Sequence, residues 1–96
     1  MSRNITPSAT KSLTVIDIPA TAENFRRLCR EHNTPPNVIC SKLHLSSVQS
    51  VYHWLSGRSM PTIDNLVLLS DLWNVNIDEI IRTVKVNTYK DEDDGK

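Results

Sequence analysis

The sequence predicts an all-α domain of five short helices over residues 20–84, between an N-terminal arm (1–19) and an acidic C-terminal tail (85–96). Three observations lead there. Apolar residues recur at spacings of three and four through residues 20–84, the period of a helix with a buried face. Cap and stop residues (Thr21, Thr34, Gly57 before Pro61, Thr62, Asn76) punctuate that pattern. Finally, 39% hydrophobic content in 96 residues, with five aromatic side chains, suffices for one small core.

Met1–Ser12 is polar and aperiodic and reads as disordered. Leu13–Ile18 is a short β-prone run, expected as an extended segment lying on the domain. The first helix is expected over about Ala22–His32, capped by Thr21. It turns Phe25, Leu28 and Cys29 inward and Arg26, Arg27 and Arg30 outward, as a solvated face or an approach to a nucleic-acid backbone. The second helix, about Pro36–Leu43, has Thr34 as its candidate cap and Pro35-Pro36 in the permissive first turn; Val38, Ile39, Cys40 and Leu43 belong to the core. A fourth helix over Thr62–Asn74, capped by Thr62, is apolar almost all round and must be covered on more than one side. The fifth starts at Asn76, where Glu79 three residues on resembles a capping box, and Ile77, Ile80 and Ile81 close the core. After Val86 the run NTYKDEDDGK reads as a disordered acidic tail.

The third helix is the informative one. It follows the tight connection His44-Leu45-Ser46 and ends at Gly57. Val48, Val51 and Leu55, with Trp54 beside them, make its apolar stripe. The opposite face holds Gln49, His53 and Ser56, flanked by Ser50 and Tyr52. An amide, an imidazole and hydroxyls, with no Lys or Glu, suit the edges of bases in a major groove. Net charge is zero, but residues 1–60 carry seven Lys and Arg against three acids, and residues 61–96 carry four against eight. The half that holds this helix is positive, and steering depends on the local field.

The ordered set of residues resembles the Cro/lambda-repressor-like helix-turn-helix family of xenobiotic-response-element type. The resemblance runs over Phe25–Ile81, on Leu28, Ile39-Cys40, Leu43, Val51, Trp54, Gly57-Arg58-Ser59-Met60-Pro61, Leu66, Leu69-Ser70 and Val75–Ile80. Within it, SSVQSVYHWLSGRSMPTIDNL is similar to a subgroup whose turn is one residue longer. The resemblance implies a five-helix, lambda-repressor-like DNA-binding domain whose partner is double-stranded DNA. Val48, Gln49, Ser50, Tyr52 and His53 would then face the bases, and Thr34, Asn37, Ser47, Ser56 and Arg58 the phosphates. It implies a transcriptional regulator, most simply a repressor; a reducing cytoplasm is expected separately, from two cysteines with no disulfide framework. It also implies a homodimer, and Leu68 and Leu72 stand where the family places outward Lys or small residues. Those two leucines make a dimer patch, unless the β-prone segment or the C-terminal stretch folds back over them. The other reading is an antitoxin or protein-interaction module on the same fold, with a small protein partner.

Departures from the family pattern are informative. Cys29 and Leu55 replace an Arg and a Glu that usually pair, so an apolar contact is expected instead. Cys40 replaces a small Ala. His44 replaces a Gly, so the turn backbone is expected to differ. Pro36 replaces a Gln that usually touches phosphate.

Other chemistry finds less support. Cys29-x2-His32 and Cys40-x3-His44 have zinc-like spacing, but both cysteines serve as small core residues, so no metal and no cofactor is expected. No nucleophile–base–orienter set is present, and two glycines make no phosphate loop, so no enzyme is expected. No apolar run reaches membrane-spanning length, and two cysteines make no disulfide framework.

Overall fold

The computed structural model describes residues 10–89. In chain order the elements are β1 (Thr10–Ile16), α1 (Ile18–Glu31), α2 (Pro36–Lys42), α3 (Gln49–Ser56), α4 (Ile63–Trp73), α5 (Ile77–Ile80) and β2 (Thr83–Tyr89). The fold is therefore mixed, and the all-α expectation is wrong. β1 and β2 form a two-stranded antiparallel ribbon in register from Thr10↔Tyr89 to Ile16↔Thr83. Both strands are rich in Thr, Val and other β-formers in alternation. A strand needs its partner, and here the partners lie at opposite ends of the sequence, where local periodicity cannot find them. The disorder expected over Met1–Ser12 gives way to β1 from Thr10, the arm ends where α1 begins at Ile18, and Lys85–Tyr89 of the expected tail belongs to β2. The rest of the expected disordered arm and tail, residues 1–9 and 90–96, lies outside the described residues.

α1 begins four residues earlier than read. Asp17 is its N-cap, with Oδ1 accepting from the Ala20 N–H at 3.0 Å, and Pro19 sits in the first turn. Thr21 caps nothing and is fully buried. Its hydroxyl donates to the Arg82 carbonyl (3.2 Å) and accepts from the Arg82 N–H (2.9 Å). The Asp17 N–H also donates to the Arg82 carbonyl, at 2.8 Å, so the ribbon's root is bonded to the first turn of α1.

Each of the four longer helices ends in the same way. Asn33, His44, Gly57 and Asn74 take positive φ (53°, 57°, 79° and 55°). In each case the next residue's N–H reaches back five: Thr34 to Cys29 (2.9 Å), Leu45 to Cys40 (2.9 Å), Arg58 to His53 (2.9 Å), Val75 to Ser70 (3.0 Å). This is the Schellman end, which satisfies otherwise orphaned carbonyls. The turn at His44 therefore keeps the left-handed backbone that glycine would favour, contrary to the expectation that its backbone changes. Thr62 caps α4 as its position predicts, accepting from the Asn65 N–H at 3.3 Å.

The core gathers Phe25 and Leu28 of α1, Ile39 and Leu43 of the α2 region, Val51 and Trp54 of α3, Leu69 and Trp73 of α4, and Ile80 of α5. Phe25 is its centre. The ring lies 5.9 Å from Trp54 and 5.3 Å from Trp73, the latter edge-on. Burying each such side chain contributes about 1.5–3 kcal/mol. α4 is covered on one side only: Leu69 and Trp73 are buried, while Ile63, Val67 and Leu68 are exposed.

Asn24, 5% exposed, ties α5 to α1. Its Nδ2 donates to the carbonyls of Glu79 (2.8 Å) and Ile80 (2.9 Å), groups that a helix end leaves unpaired. Its Oδ1 accepts from Arg27 Nη2 (2.6 Å), Arg27 Nε (3.1 Å) and Arg82 Nη2 (3.1 Å). Arg27 also pairs with Glu31 at 2.8 Å.

Candidate functional site

The sequence between Glu31 and Asp64 contains no carboxylate side chain. It contains Lys42, Arg58 and three histidines, and it folds into α2, the connection and α3. Any face built from this stretch is free of fixed negative charge, which is what a polyanion requires of its partner.

α3 is held by its inner side and its two ends. Val51 and Trp54 are buried, with Trp54 against Phe25. At the start, Ser47 Oγ accepts from the Gln49 N–H at 3.1 Å. At the end, Gly57 is left-handed, and its missing Cβ would sit 3.6 Å from Ala22 Cβ and Ile18 Cγ2 of α1. Arg26 Nη1 donates to the Leu55 carbonyl at 2.5 Å, placing a cation on the negative end of the helix. A short helix locked at this many points presents its outer face in a fixed orientation.

That outer face holds Gln49, Tyr52 and Ser56, all exposed, with His53 half-buried among them. Spacings of three and four put 49, 52, 53 and 56 on one stripe, so Tyr52 stands within the face rather than beside it. Val48 and Ser50 are half-buried at its margins. Ser56 Oγ donates to the His53 carbonyl at 3.2 Å, which leaves its oxygen free to accept. Ser47 accepts from Gln49, which leaves its proton free to donate. Arg58 follows directly, exposed, its backbone N–H bonded to the His53 carbonyl.

The α2 side contributes less. Thr34 is buried, and its hydroxyl accepts from Trp73 Nε1 at 3.0 Å. It pins α4 rather than capping α2, whose N-cap is Pro35, and it has no free surface for a phosphate. Pro35 and Pro36 lack N–H groups, so the start of α2 offers fewer amides than an ordinary helix start. Asn37 is exposed beside them. Of the two leucines of the expected dimer patch, Leu68 is exposed and Leu72 is half-buried against the core, so Leu72 offers only part of its side chain.

The cysteine and histidine pairs take other roles. His32 stacks on Trp73 at 5.8 Å, and Cys40 Sγ donates to the Leu45 carbonyl at 3.5 Å. Burial raises the Cys29 thiol from 9.0 to about 11, against smaller lowering effects of a Thr34 hydrogen bond and the Arg30 charge. Among the described residues no three His, Cys, Asp or Glu side chains converge on a point that could hold a metal ion. No described helix is long and apolar enough to cross a membrane. An open cleft of about 310 Å³ lies elsewhere, lined by Ala20, Glu23, Asn24, Arg27, Arg30 and Arg82, and contains none of the residues singled out from the third helix. Arg82 was missed by sequence reading, since its neighbours in space come from α1, about 60 residues away.

No family model and no curated protein matches this sequence. Among solved structures, the crystal structure of a transcriptional regulator from Listeria innocua is similar. It is 31% identical, with a TM-score of 0.59, over 64% of this chain and 56% of that one. This chain thus spans little more than half the length of that protein.

Proposed function

We propose that this chain is a sequence-specific DNA-binding transcriptional regulator, most simply a repressor, that reads the major groove with α3. The observation that carries the reading is the uncharged hydrogen-bonding stripe of α3, fixed by buried Val51 and Trp54 within a stretch free of carboxylates. The likeness to a solved transcriptional regulator supports it.

In this reading Gln49 pairs bidentately with adenine N6 and N7, and His53 bonds a neighbouring base edge. Val48 meets a thymine methyl group, Tyr52 contacts the groove from within the stripe, and Ser50 contacts its flank. Arg58, Ser47, Ser56 and Asn37 position the protein on phosphates, supplying affinity without reading sequence. The xenobiotic-response-element type resemblance adds a two-fold dimer on half-sites about 34 Å apart.

Selection of bound sequences from a random duplex pool tests the reading. A single enriched motif is the expected result. On that motif, Gln49→Ala and His53→Ala each cost about 1–3 kcal/mol and leave non-specific affinity nearly unchanged. Arg58→Ala weakens all sequences alike and shallows the salt dependence by about one unit. No enrichment, or two α3 variants that bind the motif like the parent, refutes the assignment.

A further inference from the structure

Three arginines meet in the open cleft of about 310 Å³ beside α1. Arg27 and Arg30 come from α1, and Arg82 comes from the link between α5 and β2. Asn24 gathers two of them. Its Nδ2 is spent on the Glu79 and Ile80 carbonyls, which fixes the direction of its Oδ1. Arg27 Nη2 (2.6 Å) and Arg82 Nη2 (3.1 Å) both donate to that one oxygen. Two cations thus converge on a neutral acceptor, close enough for one anion to touch both. Arg82 is anchored from behind as well, since its backbone is bonded to Asp17 and Thr21. Charge in the cleft is unbalanced. Among the described residues Arg27 pairs with Glu31, while Arg30 and Arg82 form no ion pair. Glu23 is the single carboxylate on the lining.

We propose that this cleft binds a small phosphorylated molecule, its phosphate group seated between Arg27 and Arg82 with Arg30 beside it. The proposal is independent of which DNA, if any, α3 reads. Guanidinium forks that approach from two elements suit a tetrahedral dianion, whose oxygens accept from several directions. Asn24 holds two of the forks in place before any ligand arrives. Such preorganisation lowers the ordering cost of binding, and it distinguishes a site from scattered surface charge. The volume lies at the lower end for small-molecule sites, so the body attached to the phosphate is small. A DNA backbone phosphate shares this chemistry. The cleft, however, is lined by α1 and Arg82 alone, with no residue of α2 or α3, so it stands apart from the stripe that would face a duplex.

The test is an NMR titration of the full chain, following backbone amides and arginine Nε–H groups. The probes are inorganic phosphate and glycerol 3-phosphate up to about 20 mM, each against sodium chloride of equal ionic strength. The expected result is a saturable set of shifts centred on the Nε–H groups of Arg27 and Arg82, seen with both probes and absent with chloride. Arg82→Gln should weaken binding at least tenfold. Lys42→Gln, the same change of charge at an exposed position on α2, should not. The wild-type titration needs no variant, so an Arg82→Gln chain that fails to fold leaves the test intact. Shifts that never saturate, or a Lys42→Gln chain weakened as much as Arg82→Gln, overturn the proposal in favour of a diffuse field. Binding of inorganic phosphate without glycerol 3-phosphate reduces the cleft to an adventitious ion only and overturns it. So does a duplex of random sequence that displaces phosphate from the Arg82 signal, which would make the cleft a backbone contact.

Discussion

Replacing Asn24 separates two roles that its side chain combines. Its amide nitrogen serves two backbone carbonyls at the end of α5, and its oxygen serves two guanidinium groups. In Asn24→Ala the guanidinium groups of Arg27 and Arg82 regain water, because Arg27 is only half-buried and Arg82 is exposed. Their loss therefore costs little. The carbonyls fare worse: the Ile80 bond is buried and the Glu79 bond partly so. An unsatisfied buried acceptor costs about 1–3 kcal/mol. With one fully and one partly stranded, Asn24→Ala should lose about 2–4 kcal/mol, or roughly 10–25 °C in Tm for a domain of this size. Asn24→Asp decides which half matters. It keeps the shape and strengthens the attraction to Arg27 and Arg82, but it points a carboxylate at two carbonyl oxygens. If the donor role dominates, Asn24→Asp is at least as damaging as Asn24→Ala at pH 7 and recovers on acidification, when the protonated acid can donate again. Urea unfolding followed by circular dichroism, at pH 7 and near pH 4, measures both. An Asp variant as stable as the parent at pH 7 would refute the argument and make the arginines the purpose of Asn24.

Other outcomes follow from features of comparable definition. His44→Gly should stabilise by about 0.5–1 kcal/mol in urea titrations, since a left-handed φ strains a side chain with a Cβ, offset by the entropy that glycine adds to the unfolded chain. Thr34→Val leaves the Trp73 indole N–H unpaired in the core and should cost about 1–3 kcal/mol by the same assay. Cys29 should alkylate slowly in the folded protein at pH 8, by mass spectrometry, and gain reactivity only as pH approaches 11. Because folding raises this thiol from 9.0 to about 11, the stability it contributes is fully present below pH 9 and lost as pH rises through 11.

What the sequence made legible was local. Thr62 before an apolar run, Gly57 after one and the period of α3 each have their cause within a few residues, and the helices follow from them. Asp17-Ile18-Pro19 is equally local, a cap followed by a proline in the first turn, but the β-prone run Leu13–Ile18 overlaps it and masks the start of the helix. What stayed hidden depends on distant partners. Thr34 looks like a cap until its indole partner, 39 residues on, is known. Lys85–Tyr89 looks like the start of a polar tail until β1 lies beside it. Leu72 looks like spare apolar surface until the core proves to reach it.

Thr10 and Tyr89 are direct partners at the end of the ribbon far from the helices. The folded unit therefore enters and leaves at a single point, and everything from α1 to α5 is one closed excursion held by a clasp. Such a unit can be grafted whole into an exposed loop of a host protein with little distortion of either. Its ends can also be joined by a short hairpin linker and the chain reopened between α2 and α3, where no regular element would be cut. A permuted chain of that kind would turn the ribbon, now the longest-range pairing in the molecule, into its most local one.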